Sequence, residues 1–191
     1  RINIFALGCC LLFGLWGVYC ISRLGVQTDE ALFSAGIYPP FWDPSTRVRV
    51  FGHEYSIMVM TYVGTLKSRL WSPVFRFLGV SAATVRVPAV LLGSISVWLF
   101  YRLLFRTLGP KSAVIGCGLL ATDPLYLLTI RWDWGPVVLQ HTLLIGGLLA
   151  LFTWFQERHL YWLALGFFAF GLAMWDKALF SWSLSGVAIA T

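Results

Sequence analysis

The sequence predicts an all-α protein, a polytopic bundle of membrane helices. The 191 residues are 59% hydrophobic and only 12% charged, with mean hydropathy +0.78, so they are too apolar to cover the surface of a soluble domain. Long uncharged runs match the roughly 20 residues that cross a bilayer core of about 30 Å. Charged residues gather at the ends of these runs. We expect about five to six spanning helices and one amphipathic surface helix in the first loop.

The first spanning helix is residues 2–22, which carry no charge. This run exceeds the roughly 7–15 residues of a signal-peptide core, so we interpret it as a retained helix. Residues 23–86 form a long loop, and residues 87–191 supply the further spanning helices. Because the chain begins at Arg1 and stops inside an apolar segment, we expect it to be the N-terminal part of a longer membrane domain.

The later spans follow one another through short connections. Asp123 and Pro124 indicate an irregular segment, or a shortened helix, within the third span. Residues 178–191 either extend the fifth span or open a sixth. The predicted second to fifth spans are residues 87–105, 112–130, 134–156 and 160–175.

The first loop contains a segment with two stripes at helical spacing. One stripe is apolar (Val59, Val63, Leu66, Leu70, Val74) and the other is polar (Thr61, Thr65, Ser68, Ser72). Both stripes favour an amphipathic helix at the membrane surface over another span, because Lys67 and Arg69 lie in the middle of the segment. Basic residues in the short loops place the N-terminus in the cytoplasm, so the long loop is predicted to be non-cytoplasmic.

Charged side chains concentrate at the predicted non-cytoplasmic ends of the helices. Charge near lipid is expensive, so such a cluster predicts a functional site. Carboxylates beside cations can deprotonate a hydroxyl group while stabilising a phosphate leaving group, or they can relay ions. No P-loop, HExxH or GxSxG pattern occurs, so nucleotide chemistry and a nucleic-acid partner are not indicated. The cluster contains Asp29, Glu30, His53, Glu54, Arg86, Arg131, Asp133, Asp176 and Lys177.

Simpler roles stay open for these residues. Asp29 can merely cap the short helix that follows it. Arg131 and Asp133 can form a salt bridge within the loop RWDWGP, whose tryptophans suit a membrane interface. Lys177 can extend its ammonium group to the interface while its stem stays in the apolar region.

A divalent metal ion is a candidate cofactor. Carboxylates with one imidazole suit such an ion, and the candidate ligands are His53, Glu54 and Asp133, with Asp29 as a fourth position that can converge with them. The simpler interpretation is that these acids are solvated, because two of the four positions lack a neighbour at ligand spacing.

Four features follow one another along the chain: the acidic pair Asp29 and Glu30, the segment FRFLGVSAATVRVPAV, the turn TIRWDWGPVVL, and the segment GFFAFGLAMWDKALF. In this order they resemble the GT-C superfamily of integral membrane glycosyltransferases. The similar branch is that of the polyprenyl-phosphate-sugar transferases, which includes protein O-mannosyltransferases and the lipid A aminoarabinose transferase. The resemblance covers almost the whole chain.

The resemblance implies roles for individual residues. The family's first-loop carboxylate activates the acceptor or helps to bind metal, so Asp29 is the implied catalytic base, with Glu30 beside it. Asp133 falls at a second acidic position, and Lys177 falls where the family has a lysine near the lipid phosphate. The implied supporting cations are Arg86 and Arg131.

The chain departs from the family pattern in the first loop. His53, Glu54 and Tyr55 stand where many relatives have a Glu-Lys-Pro-like motif, so a phosphate-binding lysine is missing there. Lys67 lies more than a dozen residues further on and is the candidate replacement. At the end of the fifth span, Ala178 follows Lys177 in place of a glycine.

We therefore expect an enzyme that moves a hexosyl or pentosyl group from a polyprenyl-phosphate-linked donor to a protein, lipid or glycan acceptor. The resemblance implies inversion at the sugar, and the expected location is the non-cytoplasmic face of a bacterial or archaeal cell membrane. The alternatives are a transporter or flippase of lipid-linked sugar and a non-catalytic membrane subunit. Charges at one membrane face count against the transporter, because transport sites usually lie near the midplane.

Overall fold

The computed structural model describes residues 2–19, 21–23, 25–35 and 47–190. The described part is a helical bundle, as predicted, with two small antiparallel hairpins in the first loop that the sequence did not predict. The helices are α1 (Ile2–Val18), α2 (Thr28–Ala35), α3 (Leu66–Leu78), α4 (Ala82–Thr107), α5 (Pro110–Thr122), α6 (Pro124–Arg131), α7 (Val137–Glu157), α8 (Leu160–Asp176) and α9 (Phe180–Ala190), with a 3-10 turn at Ile21–Arg23. The strands are β1 (Arg47–Val50), β2 (His53–Ser56), β3 (Met58–Met60) and β4 (Val63–Gly64).

Within the described residues, three helices are long and apolar enough to cross a membrane, and a fourth span is present if α5 and α6 count as one. The three are Ile4–Arg23, α4 and α7, and the angle between α5 and α6 is 53°. By the same measure α8 and α9 are apolar but shorter, with 17 and 11 residues. The predicted third span is the broken pair of α5 and α6, and the predicted fifth span is α8, so neither is counted among the three long helices.

The break between α5 and α6 follows from local chemistry. Pro124 disfavours the helical conformation at Asp123, which is extended, with φ −66° and ψ 116°. The carboxylate of Asp123 then accepts the backbone N–H of Tyr126 at 2.6 Å and caps α6. A single helix over residues 112–130 was therefore wrong, whereas the predicted irregularity at Asp123 is confirmed.

Helix α4 lies at the centre of the bundle, with α1, α5 and α7 packed against it. Its first turn is fixed by a capping box, in which the Ser81 side chain accepts the N–H of Thr84 and the Thr84 hydroxyl accepts the N–H of Ser81. The helix therefore starts at Ala82, five residues before the predicted start at Val87. This early start carries Arg86 into the second turn, where its side chain is fully buried.

The predicted surface helix over residues 59–74 was wrong in its first half. Residues 58–64 form the β3–β4 hairpin, and α3 begins only at Leu66. The hairpin is held extended by the junction between α8 and α9, because Ala178 N–H donates to the Tyr62 carbonyl at 2.9 Å and Val63 bridges Lys177. The second half is an amphipathic helix, with Trp71 and Phe75 buried while other apolar side chains stay exposed.

Candidate active site

The carboxylate of Glu30 is bound by a buried arginine. Glu30 lies in the first turn of α2 and is 1% exposed, and Arg86 in α4 is 0% exposed. Arg86 Nε donates to Glu30 Oε1 at 2.5 Å and Nη2 donates to Oε2 at 2.8 Å. The Arg86 guanidinium also donates to the carbonyls of Ile21 and Gly25. This bidentate pair joins α2 to α4 and neutralises Glu30.

A second buried ion pair joins α3 to the turn between α6 and α7. Lys67 Nζ donates to Asp133 Oδ1 at 2.5 Å and to the Gly135 carbonyl at 2.8 Å, and both charged side chains are inaccessible to solvent. The Lys67 ammonium also lies 4.2 Å from the ring centroid of Phe33, a cation–π contact. Burial raises the pKa of Asp133, and the Lys67 ammonium opposes that rise.

Asp29 differs from its neighbour Glu30 in both exposure and bonding. Its side chain is partly exposed, and no donor within the described residues binds its carboxylate. The Gln27 N–H instead donates to Glu30 Oε2 at 2.8 Å, so it is Glu30 that closes the start of α2. An added Cβ on Gly135 would lie 3.6 Å from Asp29 Oδ2, which puts Asp29 beside the turn that carries Asp133.

A cavity of about 310 Å³ adjoins this arrangement. It is lined by Gly25, Val26, Gln27 and Trp132, residues that precede Asp29 and Asp133 in the chain. The segment before α2 and the turn before α7 therefore share an accessible space.

The simpler role for the Arg131 and Asp133 pair was wrong, because these residues do not bridge each other in the described structure. Asp133 pairs with Lys67, and Arg131 Nη2 donates to the backbone carbonyl of Tyr19 at the end of the first span. Asp133 has φ +47°, a left-handed conformation that turns the backbone back toward the first loop.

Asp176 and Lys177 lie at the end of α8, close to the same ion pair. Asp176 is fully buried; the backbone N–H of Lys67 points toward its carboxylate, although neither oxygen has a partner at normal hydrogen-bond geometry among the described residues. Its nearest charges are Lys67, Lys177 and Asp133. Lys177 is extended and partly exposed, and its carbonyl accepts the side-chain amide of Gln140 at 3.2 Å. The four-residue acid and base cluster thus draws on α3, α8 and the turn before α7.

The three candidate metal ligands are not brought together. His53 and Glu54 lie in the β1–β2 hairpin, where Glu54 is paired with Arg49 at 2.9 Å and with Arg47 at 3.4 Å, while Asp133 is paired with Lys67. Among the residues whose positions are described, no three His, Cys, Asp or Glu side chains form a group that could hold a metal ion. Dependence of activity on a divalent ion stays a prediction, to be tested with excess chelator.

A family model of dolichyl-phosphate-mannose-protein mannosyltransferases matches residues 69–184, which is 116 of the 191 residues. The chain belongs to this family. The mannosyltransferase match spans α3 to α9 and includes Arg86, Arg131, Asp133 and Lys177, whereas Asp29, Glu30 and Lys67 precede it. No curated protein and no solved structure gave a significant match.

Membership of the mannosyltransferase family supports a membrane glycosyltransferase of the GT-C type. Sequence reasoning selected the charged residues at this end of the bundle but missed how they pair. The sequence predicts Lys67 as a substitute phosphate ligand, whereas the structure buries it against Asp133. The sequence does contain a feature that indicates this pairing. Lys67 lies among Leu66, Leu70 and Trp71 on a helix, and a lysine buried by such neighbours needs an acidic partner.

Proposed function

We propose that the protein transfers a sugar from a polyprenyl-phosphate-linked donor to a hydroxyl acceptor, and that Asp29 is the general base. The observation that carries this proposal is the contrast within the acidic pair. Glu30 is buried and neutralised by Arg86, while Asp29 is partly exposed and has no bonded donor among the described residues. A base must be reachable by the proton that it removes, so Asp29 fits that role better than Glu30 does.

In the proposed reaction the Asp29 carboxylate takes the proton of the acceptor hydroxyl. The acceptor oxygen bonds to the anomeric carbon while the bond from that carbon to the lipid phosphate oxygen breaks, and polyprenyl phosphate leaves as an anion. The cations available to that anion are Lys177 and Arg131, which are partly exposed. Arg86 and Lys67 act as positioning residues, because their charges are already used to hold Glu30 and Asp133.

The experiment measures sugar transfer by the full-length protein in liposomes that contain polyprenyl-phosphate sugars. Asp29→Asn keeps the shape of the side chain and removes its charge, so we expect transfer to fall by about 10²–10⁴-fold at equal amounts of folded protein. Glu157→Gln is the matched control, because Glu157 is an accessible carboxylate at the far end of α7, and it should transfer at the wild-type rate.

Near wild-type transfer by Asp29→Asn would remove Asp29 from the mechanism. Absence of transfer by the wild type across several donors would favour the transporter of lipid-linked sugar, which binds its cargo without breaking a bond. Glu30→Gln should lower the unfolding temperature, because it removes the charge that pairs with Arg86. Asp29→Asn, in contrast, should lower the rate of sugar transfer.

A further inference from the structure

A polar groove lies between the β1–β2 hairpin and α3, apart from the Asp29 site. Its volume is about 270 Å³. Most of its lining groups carry hydroxyl or guanidinium donors, which is the chemistry of oxyanion binding. The lining residues are Glu54, Tyr55, Ser56, Thr65, Ser68, Arg69, Ser72 and Arg76.

The groove is built on one stripe of α3. Arg69, Ser72 and Arg76 are spaced three and four residues apart, so their side chains follow one another along the same face of the helix. They extend the polar stripe of Thr65, Ser68 and Ser72 that the sequence shows. Lys67, one residue away from this stripe, is buried against Asp133 on a different side of the helix.

The guanidinium of Arg69 is held in place before any ligand arrives. Its Nη2 donates to the Ser56 carbonyl at 2.8 Å, its Nε donates to the Thr65 hydroxyl at 3.3 Å, and its carbon lies 5.6 Å from the centroid of the Tyr55 ring. An arginine has five N–H donors, and these bonds use two of them. The remaining donors are available at a fixed position, which lowers the entropy lost on binding.

The other end of the groove has donors that are not engaged. In the described part of the chain, neither the Ser72 hydroxyl nor the Arg76 guanidinium makes a hydrogen bond or ion pair, and Arg76 is exposed. The one acid of the lining, Glu54, is paired with Arg49 and Arg47, which compensate its negative charge. Hydrogen bonds from these arginines hold the pKa of Glu54 below the usual range, so it stays ionised within those pairs. The groove therefore presents uncompensated positive charge.

An exposed apolar face lies beside the groove on the same helix and indicates where the groove lies relative to the bilayer. Leu70 and Phe77 are seven residues apart, lie about 100° around α3 from Arg69 and Arg76, and are 52% and 86% exposed. A helix with an exposed apolar stripe beside a cationic one lies in the membrane interface, with the cations at the level of the phosphates. We therefore expect the groove to face the layer in which lipid phosphates are concentrated.

We propose that Arg69, Ser72 and Arg76 form a phosphate-binding site in this groove, separate from the proposed transfer reaction. The bound group is a phosphate carried either by a membrane lipid or by a free anion. Arg69 supplies a preset fork of donors, Ser72 a hydroxyl, and Arg76 a mobile second guanidinium that closes on the ligand. Acyl chains of a lipid ligand would contact Leu70 and Phe77, so a lipid phosphate should bind more tightly than a free one.

The test is native mass spectrometry of the purified protein in detergent, titrated separately with phosphatidic acid, with a diacylglycerol of the same chains and with inorganic phosphate. We expect saturable binding of phosphatidic acid, weaker binding of phosphate and no saturable binding of the diacylglycerol. Arg76→Gln should weaken phosphate-dependent binding by about tenfold, and Arg69→Gln with Arg76→Gln by about a hundredfold. Lys111→Gln is the control, because it removes one exposed positive charge at the opposite end of α4.

Arg76→Gln keeps the test decisive if loss of Arg69 disturbs the hairpin, since Arg76 makes no hydrogen bond or ion pair with other described residues. Equal affinity for phosphate and phosphatidic acid would support the site and assign it to free anions. Wild-type affinity in the double variant, or the same loss in Lys111→Gln, would overturn the proposal. Tight binding of the diacylglycerol would also overturn it, because the phosphate would then contribute nothing.

Discussion

At the residue scale, the Glu30–Arg86 pair is the feature whose burial costs the most hydration. Both side chains are removed from water, and each loses hydration that only the partner and nearby carbonyls replace. Such a pair contributes little net stability over a well-packed apolar pair, but an unpaired member is costly. Its main effect is therefore to fix where α2 meets α4, which in turn fixes the position of Asp29.

Arg86→Met should lower the free energy of unfolding by about 3–5 kcal/mol, because Glu30 would be left as a buried charge without its partner. The double variant Glu30→Gln with Arg86→Met should recover part of that loss, since it buries no charge. Unfolding in detergent followed by circular dichroism measures both. A double variant that is as unstable as the sum of the two single changes would contradict this account.

Unlike loss of Arg86, loss of the Asp176 charge should not destabilise the protein. Its carboxylate is buried, and the cost of lost hydration is larger than its attraction to Lys67 and Lys177, so Asp176→Asn should leave the unfolding temperature unchanged or raise it. Thermal unfolding in detergent is the measurement, with Asp123→Asn as a comparison at an exposed helix cap. A fall of several degrees in Asp176→Asn alone would show that this carboxylate has a stabilising partner.

At the scale of elements, the β3–β4 hairpin is clamped to the junction of α8 and α9. Trp175 Nε1 donates to the Ile57 carbonyl at 3.0 Å, and Ala178 N–H donates to the Tyr62 carbonyl. Gly64 lies so close to Trp175 that an added Cβ would be 1.9 Å from its carbonyl oxygen. The Trp175 carbonyl belongs to the backbone, so it cannot move away from an added Cβ without also moving Lys177.

Gly64→Ala should therefore destabilise the protein by about 1–3 kcal/mol and displace Lys177, which lowers sugar transfer as well. Gly171→Ala is the control, because no atom lies within 4 Å of the added Cβ and alanine is the better helix former. Unfolding and transfer are measured on the same preparations. Wild-type values for both quantities in Gly64→Ala would show that the hairpin is not clamped.

The sequence predicted the elements whose signals are local and missed those set by distant contacts. Asp123 and Pro124 are adjacent, so the break between α5 and α6 could be predicted. The hairpin over residues 58–64 could not, because Tyr62 and Gly64 contact the end of α8 and the junction that follows it, more than 100 residues later. For the site, charge and position selected Asp29, Asp133 and Lys177, but the pairing of Lys67 needed the folded chain.

At the scale of the whole molecule, the first loop, the turn before α7 and the end of α8 meet at one end of the bundle. The contacts that establish this are Lys67 with Asp133 and Val63 with Lys177. The opposite end carries the short connections and the Arg106–Glu157 pair. We propose that the end with Asp29 is non-cytoplasmic, which is where a lipid-borne sugar would be used.

Cysteine labelling tests this orientation. Phe51→Cys at the 98% exposed tip of the β1–β2 hairpin should react with a membrane-impermeant maleimide added to intact cells. Lys111→Cys, at the start of α5, should react only after the membrane is permeabilised. Native cysteines are replaced first, so that Cys10 does not contribute to the signal. The reverse pattern would place the site in the cytoplasm.

The two buried ion pairs also impose an order on biosynthesis. Glu30 emerges from the ribosome 56 residues before Arg86, and Lys67 emerges 66 residues before Asp133. Until α4 has been made, the acidic start of α2 has no counter-ion, and until the turn after α6 has been made, the lysine of α3 has none. We therefore expect the first loop to stay hydrated until α4 and the turn before α7 have been made. Formation of the two ion pairs then completes the folding of this end of the bundle.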